Sequence, residues 1–215
     1  GRYAVVVGPK IPRRDQNRVD LIYEIDEGPS AAITKVNFVG NLHYSDEDLA
    51  GEIMSKESRW YRIFSSAENY DPEKTNYDKE LLRRFYLKRG YADFRVVSAI
   101  AELSPDKKSF VLTFVVDEGK RYKINNVTVN SQISDVQVKP LYDEVLFKKG
   151  DWYNAELVEK SVYAITDELG KKGFAFVDVV PNLQKNTRTG ELDVTFDVRE
   201  GDRIFVDRIN IHGHT

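Results

Sequence analysis

Three segments of the chain share a strand-like pattern of apolar residues and one ending. They cover residues 19–28, 110–119 and 192–201, and each closes with Glu-Gly. In the last segment, apolar residues at 192, 194, 196 and 198 alternate with polar ones. Because successive side chains of a strand point to opposite faces, this predicts one buried and one solvated face. The middle segment is apolar on both faces, which is typical of a central strand.

A second landmark recurs at almost the same spacing. The string Arg89-Gly90-Tyr91-Ala92-Asp93-Phe94 matches Lys172-Gly173-Phe174-Ala175-Phe176-Val177. The two glycine landmarks lie 83 positions apart, and the second and third Glu-Gly endings lie 82 apart. Self-similarity at a fixed period indicates a repeated structural unit. The sequence therefore predicts two complete copies of one unit.

The first complete copy has the pattern strand, helix, helix, strand, strand. Ser45 precedes three acidic residues, which suit the positive N-terminus of a helix. Tyr77, Leu81 and Phe85 recur every four residues and predict the core-facing stripe of the second helix. Gly90 suits the left-handed position that closes this helix. The predicted elements are a strand at 33–39, a helix after residue 45, a helix from 71 onward, and strands at 94–102 and 110–116.

The second copy repeats this order. A helix is predicted at 135–147 with Pro140 in its first turns, and Asn154 is the predicted N-cap of the next helix. That helix has an apolar stripe of Val158, Val162, Ile165 and Leu169. The predicted strands lie at 124–129, 174–183 and 192–198.

Proline in two of the three copies predicts that the second strand of the unit lies at a sheet edge. Pro181 lies in this strand of the second copy, and Pro9 and Pro12 lie near the equivalent strand of the leading fragment. Proline cannot donate a ladder hydrogen bond, so it belongs at edges or strand ends. The same strand of the first copy has no proline, which leaves its edge without this protection. Its predicted outward side is Arg95, Val97, Ala99 and Ala101.

The first copy is longer than the second because of an apolar insertion at 56–69. Its members Trp60, Tyr61 and Phe64 carry too much apolar surface for a polar linker. Local packing as a compact loop is the favoured interpretation, with a partner surface as the alternative.

Composition excludes several functions. Among 215 residues, 41% are hydrophobic and 31% charged, and a net charge of −3 gives no basic excess for nucleic acid. The absence of cysteine rules out thiol catalysis and Cys-based metal sites. His43, His212 and His214 lack further ligands at metal-binding spacing. No acid is paired with a nucleophile or phosphate loop, so no enzyme and no cofactor are predicted.

The repeat resembles the POTRA (polypeptide-transport-associated) domain, whose unit is β-α-α-β-β with two helices on a three-stranded mixed sheet. The strings that carry the resemblance are residues 86–94, the hairpin 103–108, the ending 118–122, and 36–41 with its Gly-Asn. The second copy departs from this pattern at one point, because its first strand ends in Asn130-Ser131 and not in Gly-Asn.

The resemblance implies an α+β fold of tandem POTRA domains with four parts. These are 1–28 as the C-terminal hairpin of a preceding domain, complete domains at 29–119 and 120–201, and 202–215 as the first strand of a following one. The register implied is the third and fourth domains of an arm, flanked by pieces of the second and fifth.

The implied function is that of the periplasmic arm of an outer-membrane barrel assembly factor. Such arms bind accessory lipoproteins and unfolded outer-membrane proteins, and they are attached to the outer membrane through a C-terminal barrel. Strand addition at an exposed sheet edge is the implied mechanism, because main-chain hydrogen bonds accept many sequences. The implied edge residues are Phe94, Arg95, Val96, Val97, Ala99, Ala101, Val177 and Val179, with Trp60, Tyr61 and Phe64 as a possible partner loop and Glu118, Gly119 and Tyr122 as interdomain residues.

Three other functions stay open from the sequence. The arm of a related TamA-type or two-partner-secretion barrel transporter would differ in its number of POTRA domains. An enzyme or nucleotide-binding α/β protein would need an acid/base pocket or a bound cofactor. An RNA binder would need a basic, aromatic sheet face, whereas Asp193, Thr195 and Asp197 lie on the solvated face of the clearest strand.

Overall fold

The computed structural model describes residues 4–10, 22–27, 32–56, 72–103, 105–107 and 109–202. It divides into two compact units, which are considered separately. The first comprises Gly1–Leu87 and Asp93–Gly119, and the second comprises Lys88–Ala92 and Lys120–Thr215.

The first unit contains a three-stranded mixed sheet with two helices. Strand β5 (Ser109–Asp117) is central, parallel to β3 (Ala32–Val39) and antiparallel to β4 (Arg95–Leu103). Two further strands, β1 (Ala4–Lys10) and β2 (Ile22–Glu27), pair antiparallel in a separate sheet. The elements of the main sheet and its helices are β3 (Ala32–Val39), α1 (Asp46–Lys56), α2 (Pro72–Leu87), β4 (Arg95–Leu103) and β5 (Ser109–Asp117).

Helix α1 begins where the sequence predicted. The Asp48 N–H donates to Ser45 Oγ at 3.0 Å, and the Ser45 N–H donates back to an Asp48 carboxylate oxygen at 3.3 Å. This reciprocal pair satisfies backbone N–H groups that have no partner within the helix. Leu49 and Ile53 are fully buried one turn apart. A capped start and an apolar stripe thus fix the helix against the core.

The core stripe of α2 lies one step away from the predicted one. Leu81 and Phe85 are buried as expected, but the prediction for Tyr77 is wrong, since 43% of that residue is exposed. Leu82 and Tyr86 are buried instead. A helix turns by 3.6 residues, so a strict four-residue step drifts away from the buried face over two turns.

The second unit repeats the topology, with β8 (Glu191–Glu200) between β6 (Lys123–Ser131) and β7 (Val177–Asn186). Strand β6 runs parallel and β7 antiparallel to β8. Leu192, Val194, Phe196 and Val198 are all fully buried, which confirms the predicted alternation. The elements are β6 (Lys123–Ser131), a 3-10 helix (Lys139–Glu144), α3 (Ala155–Lys171), β7 (Val177–Asn186) and β8 (Glu191–Glu200).

The helix predicted at 135–147 is wrong in type and length. The structure has only the six-residue 3-10 helix Lys139–Glu144, with Pro140 in its first turn. The ring of proline disfavours helical geometry in the residue before it, so an α-helix cannot pass through this point from 135 onward.

Helix α3 agrees with its predicted cap and, in large part, with its stripe. The Asn154 side chain accepts from the Glu156 and Leu157 N–H groups at 3.0 and 3.3 Å. Val158, Ile165 and Leu169 are buried, whereas Val162 is half-buried and Ser161 takes a place in the core. The Ser161 hydroxyl is satisfied, since it donates to Leu157 O and accepts from the Leu146 N–H.

Several predictions fall on residues outside those described. They concern the loop with Trp60, Tyr61 and Phe64, the helix start at Asp71, and the histidines His212 and His214. Within the described part of the chain, no helix is both long and apolar enough to cross a membrane.

Candidate functional site

The second strand of each repeat lies at a sheet edge, as predicted. The strand orders are β3-β5-β4 and β6-β8-β7, so β4 and β7 each have one hydrogen-bonded neighbour among the described strands. An edge strand presents main-chain N–H and C=O groups to another polypeptide. The binding role of these edges is a separate question, which stays a prediction.

Edge strand β4 contains a β-bulge at Val97. Val96 pairs with Val116 and Ser98 pairs with Val115, so Val97 is an extra residue opposite no partner of its own. A bulge shifts the alternation of side chains between faces and increases the local twist. It is also one of the devices that interrupt pairing at an exposed edge. In the first unit the bulge therefore limits strand pairing at the start of β4. In the second unit Pro181 has this effect in β7.

Because of the bulge, the prediction of four outward-facing residues on β4 is correct for two of them and wrong for the other two. Arg95 and Val97 are exposed, but Ala99 and Ala101 lie opposite the buried residues Phe114 and Leu112. Directly opposite residues share a face of the sheet, so both alanines point toward the helices. Beyond the bulge, Ile100 is exposed instead, at 49%.

The other predicted edge residues differ in exposure. Phe94 precedes β4 and is buried, with its ring stacked on Tyr86 at a centroid distance of 4.1 Å. Val96 and Val177 are half-buried, and Val179 is buried. Their side chains belong largely to the core, so their contribution to binding would come from the main chain.

The edge of β7 is polar and carries Pro181 at its middle, opposite Phe196. Asn182 and Gln184 lie opposite Thr195 and Asp193 on the solvated face. Proline has no N–H to offer an added strand. The ladder that β7 can extend is therefore interrupted.

The opposite edge of the second sheet, β6, is partly covered. The Tyr142 hydroxyl of the 3-10 helix accepts from the Val129 N–H at 3.0 Å. The register of β6 also shifts between Ile124 and Val127. Both features reduce the run of main-chain groups that an added strand could use.

Glu118 is the hub of a buried hydrogen-bond network that the sequence did not predict. Its carboxylate accepts from the Tyr86 hydroxyl at 2.7 Å and from the Leu42 and His43 N–H groups at 3.0 and 3.2 Å. His43 Nδ1 lies 2.7 Å from a Glu118 oxygen. These contacts join the loop after β3 and helix α2 to the end of β5. In the sequence, the Glu-Gly ending shared by the repeats drew attention to Glu118, but it did not identify the hydrogen-bond partners of this residue.

Hydrogen bonds keep Glu118 ionised despite its burial. Burial alone raises the pKa of this carboxyl, but hydrogen bonds from Tyr86, from His43 and from the Leu42 N–H outweigh it and lower the pKa below 4.5. His43, considered from sequence only as a metal ligand, is instead a partner of this carboxylate. Among the residues described, no three His, Cys, Asp or Glu side chains are grouped to hold a metal ion.

Gly119 and Tyr122 occupy specialised positions. Gly119 has a φ of +66°, and its N–H donates to Asp117 Oδ1 at 3.2 Å. Tyr122 is fully buried, and its N–H donates to Gly90 O at 2.9 Å within the second unit. Their assignment as interdomain residues, with Glu118, stays a prediction.

The fold and the candidate site define the class of this protein. It is a tandem-repeat α+β protein, and its candidate site consists of the main-chain N–H and C=O groups at a sheet edge. A family model described as "POTRA: Surface antigen variable number repeat" matches residues 31–119 and 122–201. The chain belongs to the POTRA family.

Individual relatives extend over the whole chain. It is 28% identical over 214 residues to the outer membrane protein assembly factor BamA of Neisseria meningitidis serogroup B, covering 100% of this chain and 27% of that protein. It is 31% identical over 201 residues to BamA of Neorickettsia risticii, covering 94% of this chain and 27% of that protein. The chain thus spans about a quarter of the length of these curated relatives.

A solved structure confirms the fold. The crystal structure of Haemophilus influenzae BamA POTRA3-5 superposes with a TM-score of 0.57 at 20% identity, covering 92% of this chain and 72% of that one. At this identity the likeness concerns the fold alone.

Proposed function

We propose that this chain is part of the periplasmic arm of an outer-membrane protein assembly machine. In this role it is a non-catalytic scaffold that binds accessory outer-membrane lipoproteins and unfolded outer-membrane proteins. It holds extended clients by strand addition at exposed sheet edges. The similarity to BamA proteins along the whole chain supports a place in such a machine. The edge position of β4 among the described strands supports strand addition as the mechanism.

The single observation that carries the mechanism is the regular ladder of β4 beyond its bulge. From Ser98 to Leu103 every residue pairs in register with β5, so the opposite side of this run presents an unbroken set of main-chain groups. Ile100 and Leu103 are 49% and 42% exposed and add apolar contact area. Because β7 carries Pro181, we assign β4 the larger share of strand addition.

A proline scan of β4 tests this proposal. Adjacent residues of a strand point their N–H groups to opposite sides. Of the two substitutions Ile100→Pro and Ala101→Pro, one therefore removes an N–H that is bonded to β5, and the other removes an N–H on the outer side of the edge. Only the variant that loses the outer N–H should keep the fold, and circular dichroism identifies it. The ligand is a synthetic peptide copied from a transmembrane β-strand with alternating apolar and polar residues. Binding is measured by NMR titration of the β4 amides.

We expect the folded proline variant to bind the peptide about tenfold more weakly, which corresponds to one or two lost main-chain hydrogen bonds. Val97→Pro is the matched control, because the bulged residue lies outside the regular ladder. Pro181→Val restores an N–H to β7 and should strengthen binding to the second unit. Equal binding by the folded β4 variant and wild type would refute strand addition at this edge.

A further inference from the structure

In the second unit, the Arg121 side chain is held in place by contacts that leave part of its guanidinium available. The guanidinium lies over the Trp152 ring, 3.9 Å from the ring centroid, and its Nε donates to Arg89 O at 2.7 Å. No hydrogen bond from its two Nη atoms is found within the described part of the chain. A guanidinium carries its N–H donors in one plane, so a contact through its face leaves the Nη donors able to bind a ligand.

Lys123 brings a second cation to the same ring. Its Nζ lies 4.7 Å from the Trp152 ring centroid. The two residues also form an isolated antiparallel β-bridge, which places them directly opposite each other. Neither Arg121 nor Lys123 forms an ion pair with any residue that the structure describes. Two positive charges therefore share one indole ring and have no carboxylate partner there.

Hydrogen bonds fix the main chain that carries these side chains. The Lys123 N–H donates to Gly190 O, and the Tyr153 N–H donates to Tyr122 O, both at 2.9 Å. These bonds hold the start of β6 against the β7-β8 hairpin and against the residue that follows Trp152. Groups that are already in position bind a ligand without the free-energy cost of ordering them.

The two cations are open to solvent on one side only. Arg121 is half-buried, Lys123 is exposed, and 41% of Trp152 is exposed. A charge that lies against an aromatic ring is screened less than a charge surrounded by water, so its attraction for an anion is stronger. The arrangement is therefore a small binding surface for an anionic group.

The neighbouring charges limit the size of that group. Lys88 and Lys160 are both paired with Glu156, at 3.1 and 3.2 Å. Glu191 is exposed and lies opposite Lys123 in the ladder between β6 and β8. Recognition of an anionic membrane uses clusters of about four to eight Lys or Arg residues, and carboxylates among them would repel it. Two cations beside acidic residues fit a single anionic side chain better than a membrane.

We propose that Arg121 and Lys123, positioned by the Trp152 ring, bind the carboxylate of an Asp or Glu side chain in an acidic segment of a partner protein. The Arg121 Nη groups donate to the carboxylate oxygens, and the Lys123 ammonium adds a charge-assisted contact. A carboxylate is planar and matches the fork of the guanidinium. The site goes beyond the proposed function, because it uses side chains of the second unit and is independent of strand addition at β4.

An NMR titration of the intact chain with a defined peptide tests this site. The probe is an acetylated and amidated peptide of alternating Glu and Gly, so that its side chains carry its only charges. A Gln-Gly peptide of the same length is the matched probe. We expect the Glu peptide to shift the Trp152 indole N–H and the Arg121 Nε–H, with weaker binding as salt is added, and the Gln peptide to shift neither.

Substitutions connect the signal to the two cations. Lys123→Gln removes one charge at an exposed position, so it should keep the fold and weaken binding of the Glu peptide about twofold to fivefold. Arg121→Lys keeps the charge but loses the planar fork, so it should weaken binding as well. Trp152→Leu removes the ring that positions both cations and should act in the same direction. Lys139→Gln removes the same charge from the 3-10 helix and is the matched control, which should bind like wild type.

Four results would overturn the proposal. They are unchanged binding by the folded Lys123→Gln variant, an equal loss in Lys139→Gln, equal shifts of the Trp152 indole N–H by inorganic phosphate, and sedimentation of the chain with phosphatidylglycerol vesicles that Arg121→Lys abolishes. The last two would assign the site to a free anion or to a membrane. The amides of β4 report strand addition separately, so failure here and failure of the proposed function are distinguishable.

Discussion

The Tyr86 hydroxyl donates to the Glu118 carboxylate at 2.7 Å, and both residues are buried in the first unit. The contact joins helix α2 to the end of central strand β5. The same carboxylate accepts the Leu42 and His43 N–H groups of the loop after β3. One ionised side chain thus holds three parts of the unit together, close to the start of the candidate edge strand.

Removing the tyrosine hydroxyl should destabilise the first unit. Tyr86→Phe deletes a donor to a buried charge, and we expect a loss of about 1.5–3 kcal/mol in the free energy of unfolding. Urea unfolding, followed in the transition of the first unit, measures it. Tyr77→Phe is the matched control on the same helix, because Tyr77 is exposed and its change should stay within about 0.5 kcal/mol. Equal effects would show that the buried hydrogen bond contributes little.

The stability of the first unit should depend on pH through Glu118. Its pKa in the folded state lies below the ordinary value of 4.5, so the ionised form is favoured by folding. The stabilisation is therefore complete above the unfolded-state pKa and is lost as pH falls through the lower folded-state pKa. Wild type should lose stability as pH falls below the ordinary pKa value of 4.5, and Glu118→Gln should remove part of this slope.

Urea midpoints at several pH values between 7 and 3 provide the measurement. Other carboxylates titrate in the same range, so the difference between variants is the informative quantity. Glu102→Gln, an exposed position on β4, controls for the loss of one negative charge. If both glutamine variants keep the wild-type slope, Glu118 is not the responsible group.

Two glycines with the same backbone geometry should respond differently to a methyl group. Gly40 and Gly150 both have a φ of +93°, so Ala strains the backbone at each by about 1–2 kcal/mol. At Gly40 the new Cβ would also lie 2.1 Å from Val116 O, whereas at Gly150 no described atom lies within 4 Å. Thermal denaturation should show Gly40→Ala to be clearly the more destabilising variant. Similar losses would mean that the β3 end can shift away from β5 at low cost.

The N-cap of α3 offers a fourth test. Asn154→Ala removes the side-chain oxygen that accepts from the Glu156 and Leu157 N–H groups, and it should lower the free energy of unfolding of the second unit by about 1 kcal/mol. Asn154→Asp keeps an acceptor at the positive helix end and should retain most of the stability. The fluorescence of Trp152, close to this cap in sequence, can follow the transition. A loss as large for Asp as for Ala would contradict the capping explanation.

Local signals in the sequence were sufficient for most elements. Ser45 and Asn154 predicted helix starts, and the alternation at 192–198 predicted a strand with one buried face; all three are confirmed. Proline at 181 predicted the sheet edge, which the strand order confirms. The prediction at 135–147 failed because the influence of Pro140 on the residues before it was underestimated.

The candidate site was predictable as an edge but not in detail. A bulge depends on how two strands align, and no residue type around Val97 indicates that a bulge occurs there. Once present, it reversed the faces of Ala99 and Ala101 and exposed Ile100. The partners of Glu118 were likewise hidden, because Leu42 and His43 are about 75 residues away from it along the chain.

The sequence by itself determined the repeat, the order of its elements and which strand lies at the edge. These depend on periodicity, caps and proline, which act over a few neighbouring residues. Only the tertiary structure decided the strand register at Val97 and the burial of the Glu118 charge. Each of those requires groups far apart in sequence to meet, and the free energy of that meeting comes from packing and desolvation, which local pattern does not encode.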